Sequence, residues 1–188
     1  NQLIGPDDYG QYANDQFSEM VARVYPKYQA SLCQNSALDF DDIIMKTVEL
    51  FRNFPEVLEY YQEKYKFISV DEYQDTNRAQ YELINALAKK YQNLCVIGDS
   101  DQSIYSWRGA TIQNILDFEK DHPEARVVKL EQNSRSTQVI LDAANGIIAK
   151  NANRQDKRLW TEKEGGDKIR HWLADNERHE GQLIAQEI

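Results

Sequence analysis

The sequence predicts an α/β fold with a mostly parallel sheet. Two short apolar runs rich in β-formers, Phe67-Ile68-Ser69-Val70 and Leu94-Cys95-Val96-Ile97, stop at Asp71-Glu72 and at Gly98-Asp99, as buried strands do at their ends. Between them, residues 78–91 carry Tyr81, Leu83, Ile84, Leu87 and Ala88 on one helical face. Strand, helix and strand in that order form the crossover that parallel pairing requires.

Upstream, residues 8–34 read as helical, with Phe17, Met20, Val21 and Val24 on an apolar face. Pro26 is expected to break or restart that helix, because proline removes a backbone donor and crowds the preceding turn. Tyr28 and Leu32 continue the apolar face. In Leu38-Asp39-Phe40-Asp41-Asp42 an Asp can cap a helix bearing Ile43, Ile44, Val48 and Phe51. Pro55 suits the first turn of another helix. Downstream, Val127-Val128-Lys129-Leu130 is expected as a third strand after the turn at His122-Pro123. A helix over 138–150, a strand over 169–173 and a final helix from about Asn176 follow, with Glu164-Gly165-Gly166-Asp167 as a surface turn. Breaks are expected near 51–55 and 123–126.

Composition narrows the function classes. Hydrophobic residues make up 41% and charged residues 28%, which fits a globular protein rather than a disordered one. No apolar stretch approaches the roughly 20 residues of a membrane-spanning helix. The first residues, Asn1-Gln2-Leu3, carry no signal pattern and read as the interior of a longer protein. Cys95 sits in an apolar run and is expected to be a small buried thiol. Neither Cys33 nor Cys95 lies in a metal-ligand spacing, so no zinc site and a reducing, cytoplasmic setting are expected. The net charge of −9 argues against a broad basic surface for nucleic acid, so any such contact must be local.

Three segments carry chemistry. Asp71-Glu72-Tyr73-Gln74-Asp75-Thr76 places paired carboxylates at a strand end, where open parallel sheets bind ligands. Phosphoryl transfer needs one carboxylate on Mg²⁺ and one group positioning water, and an adjacent pair can divide those tasks. The same pair could equally be a solvated strand end capping the next helix. The run from Gly98 to Ala110 also begins at a strand end, so its first residues should lie beside Asp71. Gln102 is a neutral side chain able to sense a γ-phosphate, and Tyr105, Trp107 and Arg108 suit stacking on unpaired bases. Trp107 could also be a core residue covered by that loop. In Leu130-Glu131-Gln132-Asn133-Ser134-Arg135-Ser136-Thr137, Arg135 could reach a phosphate, and Ser136 or Thr137 could cap the helix that follows.

Taken together, these segments resemble motifs II, III and IV of superfamily-one DNA helicases of the UvrD/Rep/PcrA group, closest to the PcrA branch. Leu38-Asp39-Phe40-Asp41-Asp42-Ile43-Ile44 is similar to that group's junction between an inserted helical domain and the motor core. The resemblance covers essentially the whole chain. It implies partial RecA-like domains: residues 1–52 end the inserted domain, 53–125 are the second part of the first motor domain, and 126–188 begin the second. It implies that Asp71 coordinates the Mg²⁺ of MgATP, that Glu72 activates water, and that Gln102 and Arg135 reach the γ-phosphate. Tyr105, Trp107 and Arg108 would contact single-stranded DNA, with Trp107 stacking on a base.

The implied activity is ATP-driven 3′-to-5′ translocation and unwinding of 3′-tailed duplex DNA in repair or replication. Repair or replication proteins would be partners, and no membrane is involved. Two departures stand out. Ser134 occupies a place where the family has a Tyr that stacks on adenine, so Ser134→Tyr in a complete enzyme is expected to tighten ATP binding. No GxxxxGK[ST] phosphate loop occurs, so the isolated chain is expected to neither hydrolyse ATP nor unwind DNA. The alternatives are the helicase subunit of a recombination helicase–nuclease and a non-catalytic module that docks a partner.

Overall fold

The computed structural model describes residues 2–151 and 157–188, and the chain divides into two units, Asn1–Ala125 and Arg126–Ile188. No helix among the described residues is long and apolar enough to cross a membrane.

The first unit opens with a 3-10 turn, Tyr9–Tyr12, followed by α1, Gln16–Gln34. The helical segment is thus shorter than the apolar pattern predicts, because Asp15 interrupts it. The Asp15 carboxylate accepts from Ser18 N at 2.7 Å and Ser18 Oγ accepts from Asp15 N at 3.1 Å, a reciprocal cap. Pro26 does not break α1, contrary to expectation. It is exposed, where water can hydrate the carbonyl that lacks its in-helix donor. Phe17, Met20 and Val24 on the apolar face are also exposed.

Helix α2, Phe40–Asn53, starts at Asp39, whose Oδ1 accepts from Asp42 N at 2.8 Å. Gln29 of α1 donates to both Asp42 carboxylate oxygens at 2.9 Å, which satisfies an otherwise costly buried carboxylate. Met45, Val48 and Phe51 form the buried stripe of α2. Helices α3, Pro55–Lys64, and α4, Arg78–Ala88, pack against α2. Gln62 joins the last two by donating to Ala86 O at 2.7 Å, and Arg52 reaches Glu82 at 3.0 Å.

Strands β1, Ile68–Val70, and β2, Leu94–Val96, pair in parallel with Ile68 opposite Leu94 and Val70 opposite Val96, and α4 forms their crossover. Because side chains alternate, Ser69 and Cys95 share the opposite face. Cys95 is exposed rather than buried, since nothing among the described residues covers that face. Two single-turn helices, α5 (Gln113–Leu116) and α6 (Phe118–Asp121), close the unit, and Phe118 meets the fully buried Tyr73 edge-on at 5.7 Å.

The second unit contains α7, Gln138–Ile148, and α8, Glu177–Glu187, the latter capped by Asn176. Neither expected strand forms: 127–130 and 169–173 are irregular, with Leu130 79% exposed and Leu173 86% exposed. A strand is a pairing, and these runs meet no neighbouring strand among the described residues. The unit's one described bridge joins Gln132 to Trp160. Glu131 O accepts from Trp160 N at 3.0 Å, and Trp160 O accepts from Asn133 N at 2.7 Å. Asn145 of α7 exchanges hydrogen bonds with the Leu159 backbone in both directions.

Candidate active site

The strand ends bring the first two motifs together. The ladder continues past β1 and β2: Ile97 N donates to Val70 O at 2.8 Å and Tyr73 N donates to Ile97 O at 3.0 Å. Asp71 and Glu72 lie exposed at this edge, where the sequence placed them. Glu72 has φ 51° and ψ 42°, a left-handed backbone that a side chain rarely adopts and that costs on the order of 1–3 kcal/mol. Three contacts hold it there. Its N–H donates to Asp71 Oδ1 at 2.9 Å, its carbonyl accepts from Asp75 N at 2.9 Å, and its Oε2 accepts from Gln74 Nε2 at 2.7 Å.

Gln74 is the centre of the arrangement, and only 1% of it is exposed. Its Nε2 donates to Glu72 and, at 3.3 Å, to Asp75 Oδ2, while its Oε1 accepts from Asp99 N at 2.9 Å. The amide orientation follows from chemistry, since carboxylates demand the nitrogen and a backbone N–H demands the oxygen. Asp99 Oδ1 accepts from Asp101 N, and Oδ2 accepts from Gln102 Nε2, both at 2.9 Å. A continuous path therefore runs Glu72–Gln74–Asp99–Gln102. Gly98 leaves room for it: a Cβ there would lie 2.7 Å from Gln74 Oε1 and 2.8 Å from Ile115 Cδ1. Sequence reasoning missed Gln74 and Asp99; the only signal was their position at two strand ends expected to be neighbours.

The aromatic loop is fastened to the same motif at both ends. At one end Ile104 N donates to Asp75 Oδ1 at 3.3 Å. At the other, Asn77 bridges Ala110, Thr111 N donates to Thr76 O at 3.1 Å, and Asn114 Nδ2 reaches both Thr76 O and Oγ1 at 3.1 Å. Gly109, at φ 86°, closes the 3-10 turn Ser106–Arg108 with the positive φ that glycine favours. Trp107 is 73% exposed, so the core reading of this residue is set aside. Tyr105 is also exposed, its ring 6.3 Å from that of Trp107. The Arg108 guanidinium lies 4.7 Å from the Trp107 ring centre and 5.5 Å from that of Tyr105. An exposed aromatic pair bearing a cation is a surface on which any base can stack.

Within the second unit, Asn133 shapes the third motif. Its Oδ1 accepts from Arg135 N at 2.9 Å and from Ser136 N at 2.7 Å. Thr137 occupies the cap position of α7 but makes no side-chain capping bond, and Ser136 supplies none, so the expected hydroxyl cap is absent. The Ser134 and Arg135 side chains are exposed, and the Arg135 carbonyl accepts from Lys163 Nζ at 3.1 Å.

No group of three or more His, Cys, Asp or Glu among the described residues could cage a metal ion. The exposed Asp71 carboxylate instead fits Mg²⁺ in its usual nucleotide-bound form, held by one or two carboxylates together with phosphates and water.

Residues 1–123 match the UvrD/REP helicase N-terminal domain, and residues 128–188 match the UvrD-like helicase C-terminal domain. The chain is 58% identical over all 188 residues to an ATP-dependent DNA helicase PcrA of Staphylococcus epidermidis. It is 57% identical, again over its full length, to the protein of that name from Staphylococcus aureus. The chain spans 26% of the length of each of these relatives. On these matches, the chain belongs to the UvrD/REP helicase family.

Proposed function

We propose that this segment is part of an ATP-driven DNA helicase motor that translocates 3′-to-5′ on single-stranded DNA in the cytoplasm. The observation that carries the reading is the hydrogen-bonded path from Glu72 to Gln102, set in a loop that also exposes Trp107. The name borne by both relatives, ATP-dependent DNA helicase, supports a motor over the partner-docking and helicase–nuclease alternatives. Residues 1–52 would end an inserted helical domain, with motor domains over 53–125 and from 126 onward.

In this reading Asp71 holds the Mg²⁺ of MgATP, which when bound neutralises charge on the phosphates. Glu72 takes the proton of the attacking water as its oxygen bonds to the γ-phosphorus and the bond to the ADP oxygen breaks. With Oε2 engaged by Gln74, the proton goes to Oε1. Gln102 contacts the γ-phosphate and links it to the aromatic loop, and Arg135, as the family resemblance implies, supplies positive charge to a nucleotide phosphate. Trp107 stacks on a base, with Tyr105 and Arg108 beside it, and 3′-tailed duplexes and repair or replication proteins are the expected partners.

A chimaera tests this directly: residues 1–188 replace the matching quarter of the Staphylococcus epidermidis relative. Trp107→Ala should weaken oligo-dT binding about tenfold or more, the loss of one stacked base, and unwinding of 3′-tailed duplex should fall with it. Unchanged affinity and unwinding would remove Trp107 from the DNA site. The 188-residue chain alone should show no DNA-stimulated ATPase.

A further inference from the structure

Gln74 neither touches the nucleotide nor moves a proton in the chemistry just described, yet it is the most enclosed polar side chain of the site. We infer that Gln74 is a positioning residue that holds the Glu72 carboxylate in its working orientation and ties it to the Asp99–Gln102 arm. The inference rests on the reading of Glu72 as the group that activates water.

Four observations carry it. Gln74 is 1% exposed, so both ends of its amide must be bonded within the protein, and they are. Its donor reaches a carboxylate at 2.7 Å, a charge-assisted bond and the shortest contact in the path. Its acceptor takes the N–H of Asp99, the residue that holds Gln102. Finally, Glu72 stands in a left-handed backbone, where the side chain is aimed by its surroundings rather than by local preference. Filling the cavity alone would need no amide, because an apolar side chain of similar volume would do so without burying polar atoms.

The chimaera provides the test. Gln74→Met keeps nearly the same volume and removes the side-chain hydrogen bonds to Glu72, Asp75 and Asp99. Steady-state ATP turnover with oligo-dT should fall about tenfold or more while KM for ATP stays within about twofold, the signature of lost transition-state positioning. In the Glu72→Gln background, adding Gln74→Met should cost little further, since the carboxylate it positions is gone. If Gln74→Met does not fold, Gln74→Asn carries the test. It retains the amide but is one methylene too short to span Glu72 and Asp99, and the same fall in turnover at constant KM is expected. The inference is overturned by turnover within about twofold of the parent, or by an undiminished effect in the Glu72→Gln background. Full turnover in Glu72→Gln alone would instead overturn the underlying reading of Glu72, so the two failures are distinguishable.

Discussion

Residues 1–125 and 126–188 satisfy their backbones by different means. In the first unit β1 and β2 supply each other's partners, and their ladder runs on into the loops that carry Glu72 and Gln74. In the second, side chains do much of that work: Asn133 holds the turn before α7, Asn145 holds the Leu159 backbone, and Glu131 Oε1 accepts from Arg158 N at 2.9 Å. A paired strand end fixes a site because each residue is positioned by its neighbour across the ladder. A turn held by one Asn positions only the residues nearest it.

The sharpest way to break this contrast is Gly98→Ala. A Cβ would press on Gln74 Oε1, Ile115 Cδ1 and, at 3.2 Å, on Tyr73 N, so relief requires backbone movement. A loss of about 1–3 kcal/mol is expected in urea unfolding of the chain, typical of overpacking. A variant as stable as the parent would show that the two loops are not closely fitted.

A smaller effect is expected at α2, the helix that packs on α3 and α4. Asp39→Ala removes the cap of α2 and should cost about 1 kcal/mol at neutral pH. The Asp42 N–H, and then the Tyr28 hydroxyl, hold the Asp39 carboxyl below its ordinary pKa. Its folded value is therefore lower than its unfolded one. The cap's contribution is complete above the unfolded value of about 3.9 and is lost as pH falls through the folded value. Parent and variant melting curves should differ at pH 7 and converge in strong acid.

The smallest effect should come from Val128→Pro. Val128 is 62% exposed and its segment belongs to no strand, so proline there should change stability by no more than about 0.5 kcal/mol. A large loss would mean that 127–130 pairs as a strand in solution.

The same contrast explains what the sequence revealed. Asp39, Pro55 and Asn176 mark helix starts through their own chemistry, α4 follows from helical periodicity, and β1 and β2 follow from short apolar runs rich in β-formers. The acidic and Gly-Asp strand ends placed the Asp71-Glu72 and Gly98-to-Ala110 motifs as neighbours. Composition alone could not show that 127–130 and 169–173 lack partners, because pairing is a property of the neighbour. Nor could it show that Cys95 faces the uncovered side with Ser69. Nothing about a glutamate predicts the left-handed turn at Glu72, and the Gln74–Asp99 bond spans 25 residues of chain.

If Glu72 belongs to an ATP-hydrolysing centre joined to a single-strand binding loop, its loss should stop turnover and spare DNA binding. ATP turnover of the Glu72→Gln chimaera, with oligo-dT binding measured on the same preparation, tests it most directly. A loss of turnover on the order of a hundredfold or more is expected, as for removal of a general base, with DNA affinity within about twofold of the parent. Turnover equal to that of the parent would contradict it.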